Sequence, residues 1–355
     1  MANYAHLRRV VLWGGGAVGA SAIGGLFLWF ALRRLDWGAV TDAMASASVP
    51  HLLGGLGLVL AGFVVRGFRW RLLLHDRRAS TLRLILVENT AVGVNSLTPI
   101  PILDEPTRLG LLAMKGIPVG TILATMAAMR TFELASQSVI GLVGLWRLPP
   151  LRALEPYILT AAAVSVLAIV ALFTIGPILR LLPALRRFPL ARDFSSGVTV
   201  MRKSPLRTLA ALGLSGAYAI IVGMGGWMIA VGLDIQLGML ALVILSLAVI
   251  FFTDWIPGLP GAIGTFEFVG VYLLGLWNVD RSTAFGYAIL LHAVFFIPPL
   301  LIAAGYLPYA GFRSVGAVMR LVRSQAKADG PDELDAGTPV APEGVEARPA
   351  EREGV

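Results

Sequence analysis

Two opposite charges, three residues apart, interrupt a long apolar stretch of this sequence. Arg130 and Glu133 lie near the middle of residues 119–145, and their i, i+3 spacing places both on one face of a helix. Because a charge at the centre of a bilayer costs roughly 3 kcal/mol or more, both side chains should face protein or water. Two interpretations stay open: an ion pair that locks two helices together, or a binding site in which Arg130 holds a phosphate or another anionic group.

Other polar residues border two places where apolar segments are broken by proline and glycine. Several prolines interrupt the segment 82–102, and a Pro/Gly-rich run follows residues 237–255. Broken apolar segments in both halves of a membrane chain are the best sequence indication of a transporter's binding site. Helix capping and solvation at the membrane surface are the alternative roles for such residues. The residues that we select at the breaks are Asn95, Pro99, Glu105, Arg108, Asp254 and Glu267.

Three arginines close the second apolar segment of the chain, at Arg66, Arg69 and Arg71. Basic residues at the ends of apolar segments mark the cytoplasmic side of a membrane, so simple anchoring is the favoured role. The alternative role is to bind the phosphates of anionic lipids.

The composition places these residues in a membrane protein. Hydrophobic residues make up 57% of the 355 residues and charged residues only 14%, whereas a soluble domain has about 25% charged residues. With no cysteine and four scattered histidines, no metal or cofactor site is expected. Residues 328–355 carry eight acids and two arginines, so the rest of the chain has a net charge of +14. These bases lie between apolar runs, which indicates contact with lipid headgroups rather than nucleic acid.

The apolar runs predict an all-α membrane bundle of about seven or eight spans, plus one or two re-entrant or broken segments, since a span needs ~20 residues. The predicted spans are residues 10–32, 49–68, 119–145, 157–181, 206–231, 237–255, 262–277 and 284–307. Segment 82–102 cannot be a simple span, because Arg83 and Lys115 on either side of it should both be cytoplasmic. A re-entrant hairpin satisfies that constraint and is the leading site, because irregular backbone at membrane depth must be buried or line a wet cavity.

Charge also predicts the location of the chain and its division into regions. The basic segments 66–83, 180–207 and 313–327 should face the cytoplasm, which places both termini there in a multi-pass protein of a bacterial inner membrane. Residues 1–310 should form the membrane domain and 311–327 a basic cytoplasmic juxtamembrane segment. Residues 328–355, rich in proline, glycine and acids, should form a disordered cytoplasmic tail.

Three motifs of the chain resemble the lysylphosphatidylglycerol synthase transmembrane family, also called the flippase-like domain family. They are RGFRWRLLL at residues 66–74, NSLTP at 95–99 with Glu105, Arg108 and the Arg130/Glu133 segment after it, and PGLPGAIGTFE at 257–267. With the spacing of the spans, the resemblance covers about residues 10–310. It departs from the family at residues 100–108, where IPILDEPTR stands in place of the family's usual glycines and Gly-Glu step.

The resemblance implies a flippase, a protein that moves lipids between the two leaflets of a membrane. In the family's namesake, a soluble C-terminal domain makes an aminoacylated lipid. Only 48 residues follow Leu307 here, so we expect no synthase domain and no enzymatic activity. Relatives with only the membrane part are associated with phospholipids, polyprenyl-linked sugars or hopanoids, so the lipid class stays open.

The residues and the resemblance leave three possible functions. A lipid flippase or transporter is the leading hypothesis, with an anionic or zwitterionic phospholipid, a polyprenyl-linked lipid or a hopanoid as its partner. The second is a non-transporting accessory subunit of an envelope-lipid biosynthesis complex, in which the intramembrane charges would be dispensable. The third, a membrane-embedded lipid-modifying transferase, has no supporting motif. A second copy of the chain and a lipid-biosynthesis protein are the open alternatives as protein partners.

Overall fold

The computed structural model describes residues 2–98, 103–181, 188–256 and 258–310, without the side chains of 2–15, 17, 176–177, 179–181 and 254–255. Throughout this part of the chain the fold is all-α and contains no strand. The helices of the first half are α1 (Ala2–Leu32), α2 (Trp37–Ala45), α3 (Val49–Leu73), α4 (Thr81–Asn95), α5 (Asp104–Ala113) and α6 (Val119–Arg147). Those of the second half are α7 (Glu155–Leu181), α8 (Pro189–Lys203), α9 (Pro205–Gly232), α10 (Met239–Trp255), α11 (Thr265–Gly275) and α12 (Arg281–Tyr309). Pro99 and the predicted segments 311–327 and 328–355 lie outside the described residues.

Polar side chains explain where several helices begin. Asp36, Ser80 and Asp280 precede α2, α4 and α12, and each accepts a hydrogen bond from a backbone N–H in the first turn of its helix. These N–H groups have no partner within the helix, so a capping side chain stabilises each start.

Four helices are long and apolar enough to cross a membrane, so the chain is a multi-pass membrane protein. They are Val49–Leu73 (α3), Pro149–Ile175 (the turn before α7 and most of α7), Pro205–Gly232 (α9) and Arg281–Tyr309 (α12). A fifth span is present if Val18–Leu32 and Trp37–Ala45, which are bent by 84°, form one span. The sequence predicted about seven or eight spans, and that number is not confirmed. Helix α6 has 29 residues but carries charges at its centre, and α10 and α11 have only 17 and 11 residues, fewer than the ~20 needed.

The main core forms where α3 packs along α9. Gly55 and Gly225 lie at this contact, where a Cβ on Gly55 would meet the carbonyl oxygen of Gly225 at 2.8 Å. Small residues allow two helix backbones to approach this closely. Apolar side chains of α10, α11 and α12 complete the core, which fixes the position of α3 and of the arginines at its end.

Helices α4 and α5 form a short hairpin around the first break, which we define as residues 96–103. Helix α4 has 15 residues and α5 has 10, about 22 Å and 15 Å at 1.5 Å per residue, so neither crosses a ~30 Å hydrocarbon layer. The chain enters and leaves the hairpin at one place, since Arg78 before α4 donates a hydrogen bond to the carbonyl of Gly116 after α5. This shape is the one expected of a re-entrant hairpin, whose side of the membrane stays a prediction.

The second break, defined as residues 256–264, joins α10 to α11. It contains the 3₁₀ turn Pro260–Ala262 and three residues with positive φ, namely Gly261 (74°), Ala262 (61°) and Gly264 (86°). Helix α1 packs against this segment at Gly24, where an added Cβ would overlap the backbone of residues 258–259. The two breaks face a common interior. Asn95 and Ser96 at the first break line the same cavity as Gly258 and Gly261 in the second break.

Candidate functional site

Four arginines and four carboxylates from α3, α4, α5 and α6 form two neighbouring sets of ion pairs around one small cavity, the pair Arg69–Glu133 and a set of six residues, which together we call the arginine–carboxylate network. Its members are Arg66, Arg69, Arg108, Arg130, Glu88, Asp104, Glu105 and Glu133. Four positive and four negative charges balance each other within it. Buried charges are tolerated only when they are paired, and each of these eight residues has an opposite charge within 3.6 Å.

Glu88 lies at the centre of the network, on α4. One of its oxygens accepts a hydrogen bond from Arg66 at 2.7 Å and the other from Arg108 at 2.9 Å. The residue is 1% exposed. Glu88 thereby ties α3 to α5 through its own helix, and it is not among the site residues selected from the sequence. The available signal was a carboxylate within an apolar segment, which membrane proteins rarely tolerate without a function.

Arg108 and Arg130 share the two carboxylates at the start of α5. Arg108 donates to Asp104 at 2.9 Å and to Glu105 at 3.2 Å. Arg130, on α6, donates to Glu105 at 2.9 Å and also to Asp104. A capping role for Asp104 and Glu105 was the alternative from sequence, and the structure places both in ion pairs.

The Arg130/Glu133 pair reaches two different helices. While Arg130 contacts α5, Glu133 lies 3.6 Å from the guanidinium of Arg69 on α3. Arg130 therefore links α6 to α5 and Glu133 links α6 to α3, so each of the two charges pairs with a different helix. The side chain of Arg130 is 45% exposed and that of Glu133 is 15% exposed, so Arg130 remains accessible to a ligand.

Arg66 and Arg69 do not stand at the protein surface as simple anchors would. They are 6% and 1% exposed, and the ring of Tyr218 lies 5.4 Å and 5.9 Å from their guanidinium carbons. Arg71 instead stabilises the loop after α3, donating to the carbonyl of Asp76 at 2.7 Å. Phosphate binding is the alternative role of these three arginines. Of the three, Arg66 alone lines one of the two cavities that border the network.

Two neighbouring cavities border the network. The smaller, of about 110 Å³, lies between the two breaks and is lined by Arg66, Asn95, Arg130 and residues of the second break. The larger, of about 430 Å³, extends along α6 to Gln137. Both cavities are lined by Asn95, Asp104, Arg130 and Glu133, so they form one polar surface.

Asn95 has a structural role at the first break. Its side-chain oxygen accepts a hydrogen bond from the N–H of Leu103 at 3.0 Å, which joins the two ends of the break. Pro99, selected from sequence, lies outside the described residues, and Asp254 is placed in α10 without a described side chain.

Glu267 belongs to a separate cluster at the second break, apart from the arginine–carboxylate network. Its two oxygens contact the N–H of Gly264 and the ring of His292, each at 2.6 Å. The other ring nitrogen of His292 lies 2.7 Å from the carbonyl oxygen of Gly261. The sequence gives no signal for the contact between His292 and a carboxylate, because 24 residues separate the two along the chain.

A family comparison covers all of these residues. The model described as the lysylphosphatidylglycerol synthase TM region matches residues 17–303. The chain belongs to this family. Its match spans both breaks and every member of the network, which agrees with the motifs at residues 66–74, 95–99 and 257–267. A search of curated proteins gave no match.

Membership of the lysylphosphatidylglycerol synthase TM region family assigns the chain a membrane lipid-related function. In the part of the chain that the structure describes, no group of three His, Asp or Glu side chains could hold a metal ion. The site offers guanidinium and carboxylate groups, which bind phosphate and ammonium by charge-assisted hydrogen bonds.

Proposed function

We propose that this chain moves a phospholipid or another envelope lipid between the leaflets of a bacterial inner membrane. The observation that carries the proposal is a charge-balanced network that lines cavities between two broken helical segments. Broken segments that meet at a cavity are typical of transporter sites, and a balanced network can exchange internal partners for a charged headgroup.

The headgroup would bind where the network is accessible. Arg130 and Glu105 have side chains that are 45% and 41% exposed, and they contact each other at 2.9 Å. A guanidinium matches the geometry of a phosphate, so a zwitterionic headgroup could place its phosphate on Arg130 and its amine on Glu105. Arg66 also lines the smaller cavity, so its guanidinium adds positive charge to this side of the site.

An apolar groove beside the larger cavity suits the rest of a lipid. This groove, of about 70 Å³, lies between α6, α7 and α10 and is lined by residues such as Ile140, Ile158 and Leu247. Gln137 and Phe251 line both the groove and the larger cavity. A molecule with a charged head and an apolar tail matches this combination, whereas a small polar solute would leave the groove unused.

The proposal assigns no catalytic activity to the chain. The second candidate function, an accessory subunit of a lipid-biosynthesis complex, is favoured by one observation. Arg66, Glu88 and Arg108 are 6%, 1% and 2% exposed and satisfy each other, as a purely structural cluster would. Lipid transport requires the exposed members of the network, whereas the accessory function does not.

Leaflet exchange of labelled lipids in proteoliposomes tests the proposal. We expect the wild-type chain to exchange lipid and Arg130→Gln and Glu105→Gln to lose most of that exchange, because each removes a headgroup contact. Arg192→Gln is the matched control, since it removes a 71% exposed arginine side chain on α8. Full exchange in both site variants would show that Arg130 and Glu105 are not part of the lipid path, and no exchange by folded wild-type protein across a broad lipid panel would contradict transport and favour the accessory role.

A further inference from the structure

One imidazole connects the second break to α12. His292 on α12 contacts a carboxylate oxygen of Glu267 through Nδ1 and the carbonyl oxygen of Gly261 through Nε2. The remaining oxygen of Glu267 accepts the N–H of Gly264. The side chains of His292 and Glu267 are 12% and 8% exposed, so these contacts are shielded from solvent.

The contacts fix how many protons this pair holds. A carbonyl oxygen can only accept a hydrogen bond, so Nε2 must carry a hydrogen to bind Gly261. Nδ1 then either carries a second hydrogen and donates to the Glu267 carboxylate, or accepts from a protonated Glu267. Both arrangements hold two protons and have no net charge. Turning the ring over would place carbon atoms against both oxygens, so the ring orientation follows from the contacts.

Loss of one proton breaks this set of contacts. The single remaining proton can lie on Nε2, which leaves bare Nδ1 opposite a carboxylate, or on Nδ1, which leaves bare Nε2 opposite a carbonyl oxygen. One of the two contacts then brings two lone pairs together, and the pair also carries a net negative charge. An unpaired buried polar contact is unfavourable, so His292 or the backbone at Gly261 has to move.

We propose that Glu267 and His292 form a proton-binding site, and that its state with two protons clamps the second break against α12. Protonation adds one proton from water to the singly protonated pair and closes the Gly261 contact. The segment it holds contains Ala262 at a positive φ of 61°, a backbone conformation that is unfavourable for a residue with a Cβ and needs support from its surroundings. The site rests on the contacts of the second break and does not depend on the proposed transport function.

The surroundings of the ring leave Glu267 as its charged contact. Phe266 stacks on the imidazole at 4.6 Å between centroids, and Phe296 meets it edge-on at 4.4 Å. The other ionisable side chains on the helices packed against α12 are Asp42, His51, Arg66, Arg69, Arg71, Arg83, Glu88, Arg207, Tyr218 and Tyr272. Arg66 and Tyr218 face the cavity that Gly261 and Phe266 also line, and Arg66 is already paired with Glu88.

Spin labels can follow this clamp directly, because the chain has no cysteine. A single cysteine at Ile263, which is 45% exposed, places a nitroxide label on the second break of the full chain in lipid nanodiscs. The control label replaces Leu206, an 82% exposed leucine at the start of α9. Electron paramagnetic resonance then gives the mobility of each label across a pH series from about 5 to about 9.

We expect the label at 263 to become several-fold more mobile as the pH rises, and the label at 206 to stay unchanged. Glu267→Gln should keep the label at 263 restricted at every pH, because its amide donates to Nδ1 as a protonated Glu267 would. His292→Phe preserves the ring packing without the hydrogen bonds and should leave the label mobile at every pH.

Three results would overturn the proton site. They are a label mobility at 263 that does not change with pH in the wild-type chain, a pH response that persists in Glu267→Gln, and a label that stays as restricted in His292→Phe as in wild type at low pH. Asp254→Asn tests the neighbouring carboxyl, and loss of the pH response in this variant, with the response kept in Glu267→Gln, would move the site to Asp254.

Discussion

At the scale of single residues, the network divides into buried members and accessible members. Glu88 is 1% exposed and bridges two arginines, whereas the side chains of Glu105 and Arg130 are nearly half exposed. Removing one member of a buried ion pair leaves an uncompensated charge, which is costly because water cannot reach it. Exposed pairs contribute little by comparison, because solvent screens them.

This division predicts unequal stability losses for two chemically identical substitutions. Glu88→Gln should destabilise the protein by about 3 kcal/mol or more, since buried Arg66 loses its carboxylate partner and Arg108 keeps only those at the start of α5. Glu105→Gln should cost about 1 kcal/mol or less, because its partners keep Asp104 and the site is solvated. Thermal or denaturant unfolding in detergent measures both, and equal losses would show that Glu88 is not the central partner of the network.

At the scale of elements, the hairpin of α4 and α5 owes its position to close helix contacts. Gly93 on α4 lies against the carbonyl oxygen of Pro299 on α12, and Gly67 on α3 lies against Ile85 on α4. Because Glu88 and Asn95 are on α4, these contacts also set where the network meets the first break. A proline inside α12 has no N–H, so one carbonyl oxygen of the preceding turn lacks its helical hydrogen bond. A glycine on α4 lets the backbones of α4 and α12 approach closely.

Glycine-to-alanine substitutions test that contact. Gly93→Ala should destabilise the protein by about 1–3 kcal/mol, because the added methyl group overlaps the backbone of α12. Gly57→Ala, within α3, is the matched control: nothing lies within 4 Å of its added methyl group, so alanine should be neutral or stabilise the helix by about 0.5–1 kcal/mol. Melting temperatures in one detergent compare the two, and an unaffected Gly93→Ala would mean that α4 and α12 are less tightly packed.

At the scale of the whole molecule, the two broken segments come from opposite halves of the chain and meet at one cavity. Arginines and carboxylates of α3, α5 and α6 line one side of this cavity. Backbone of the second break and aromatic rings of α12 line the other side. The Glu267–His292 pair lies behind that second wall. A proton bound there would act on the cavity through the backbone of Gly261, without contacting a lipid.

The orientation of the molecule in the membrane is a prediction that single cysteines can test. Lys115 follows the hairpin and Arg152 follows α6, so the positive-inside argument places Lys115 in the cytoplasm and Arg152 outside. Lys115→Cys and Arg152→Cys should therefore react with an impermeant thiol reagent from opposite sides of inner-membrane vesicles. Labelling of both from one side would remove the basis for a re-entrant hairpin.

The sequence by itself determined the class of the protein, because long apolar runs and few charges suit only an all-α membrane chain. It also located the broken segments, since proline and glycine act on local backbone, and it selected most members of the network from charge at membrane depth. Its number of seven or eight spans is not confirmed, because short apolar runs such as 262–277 can be buried half-helices rather than spans. Only the tertiary structure decided which charges pair, placing Glu88 between two arginines and His292 against Glu267. Those contacts join residues distant in the chain, and their partners depend on how helices pack rather than on spacing along the sequence.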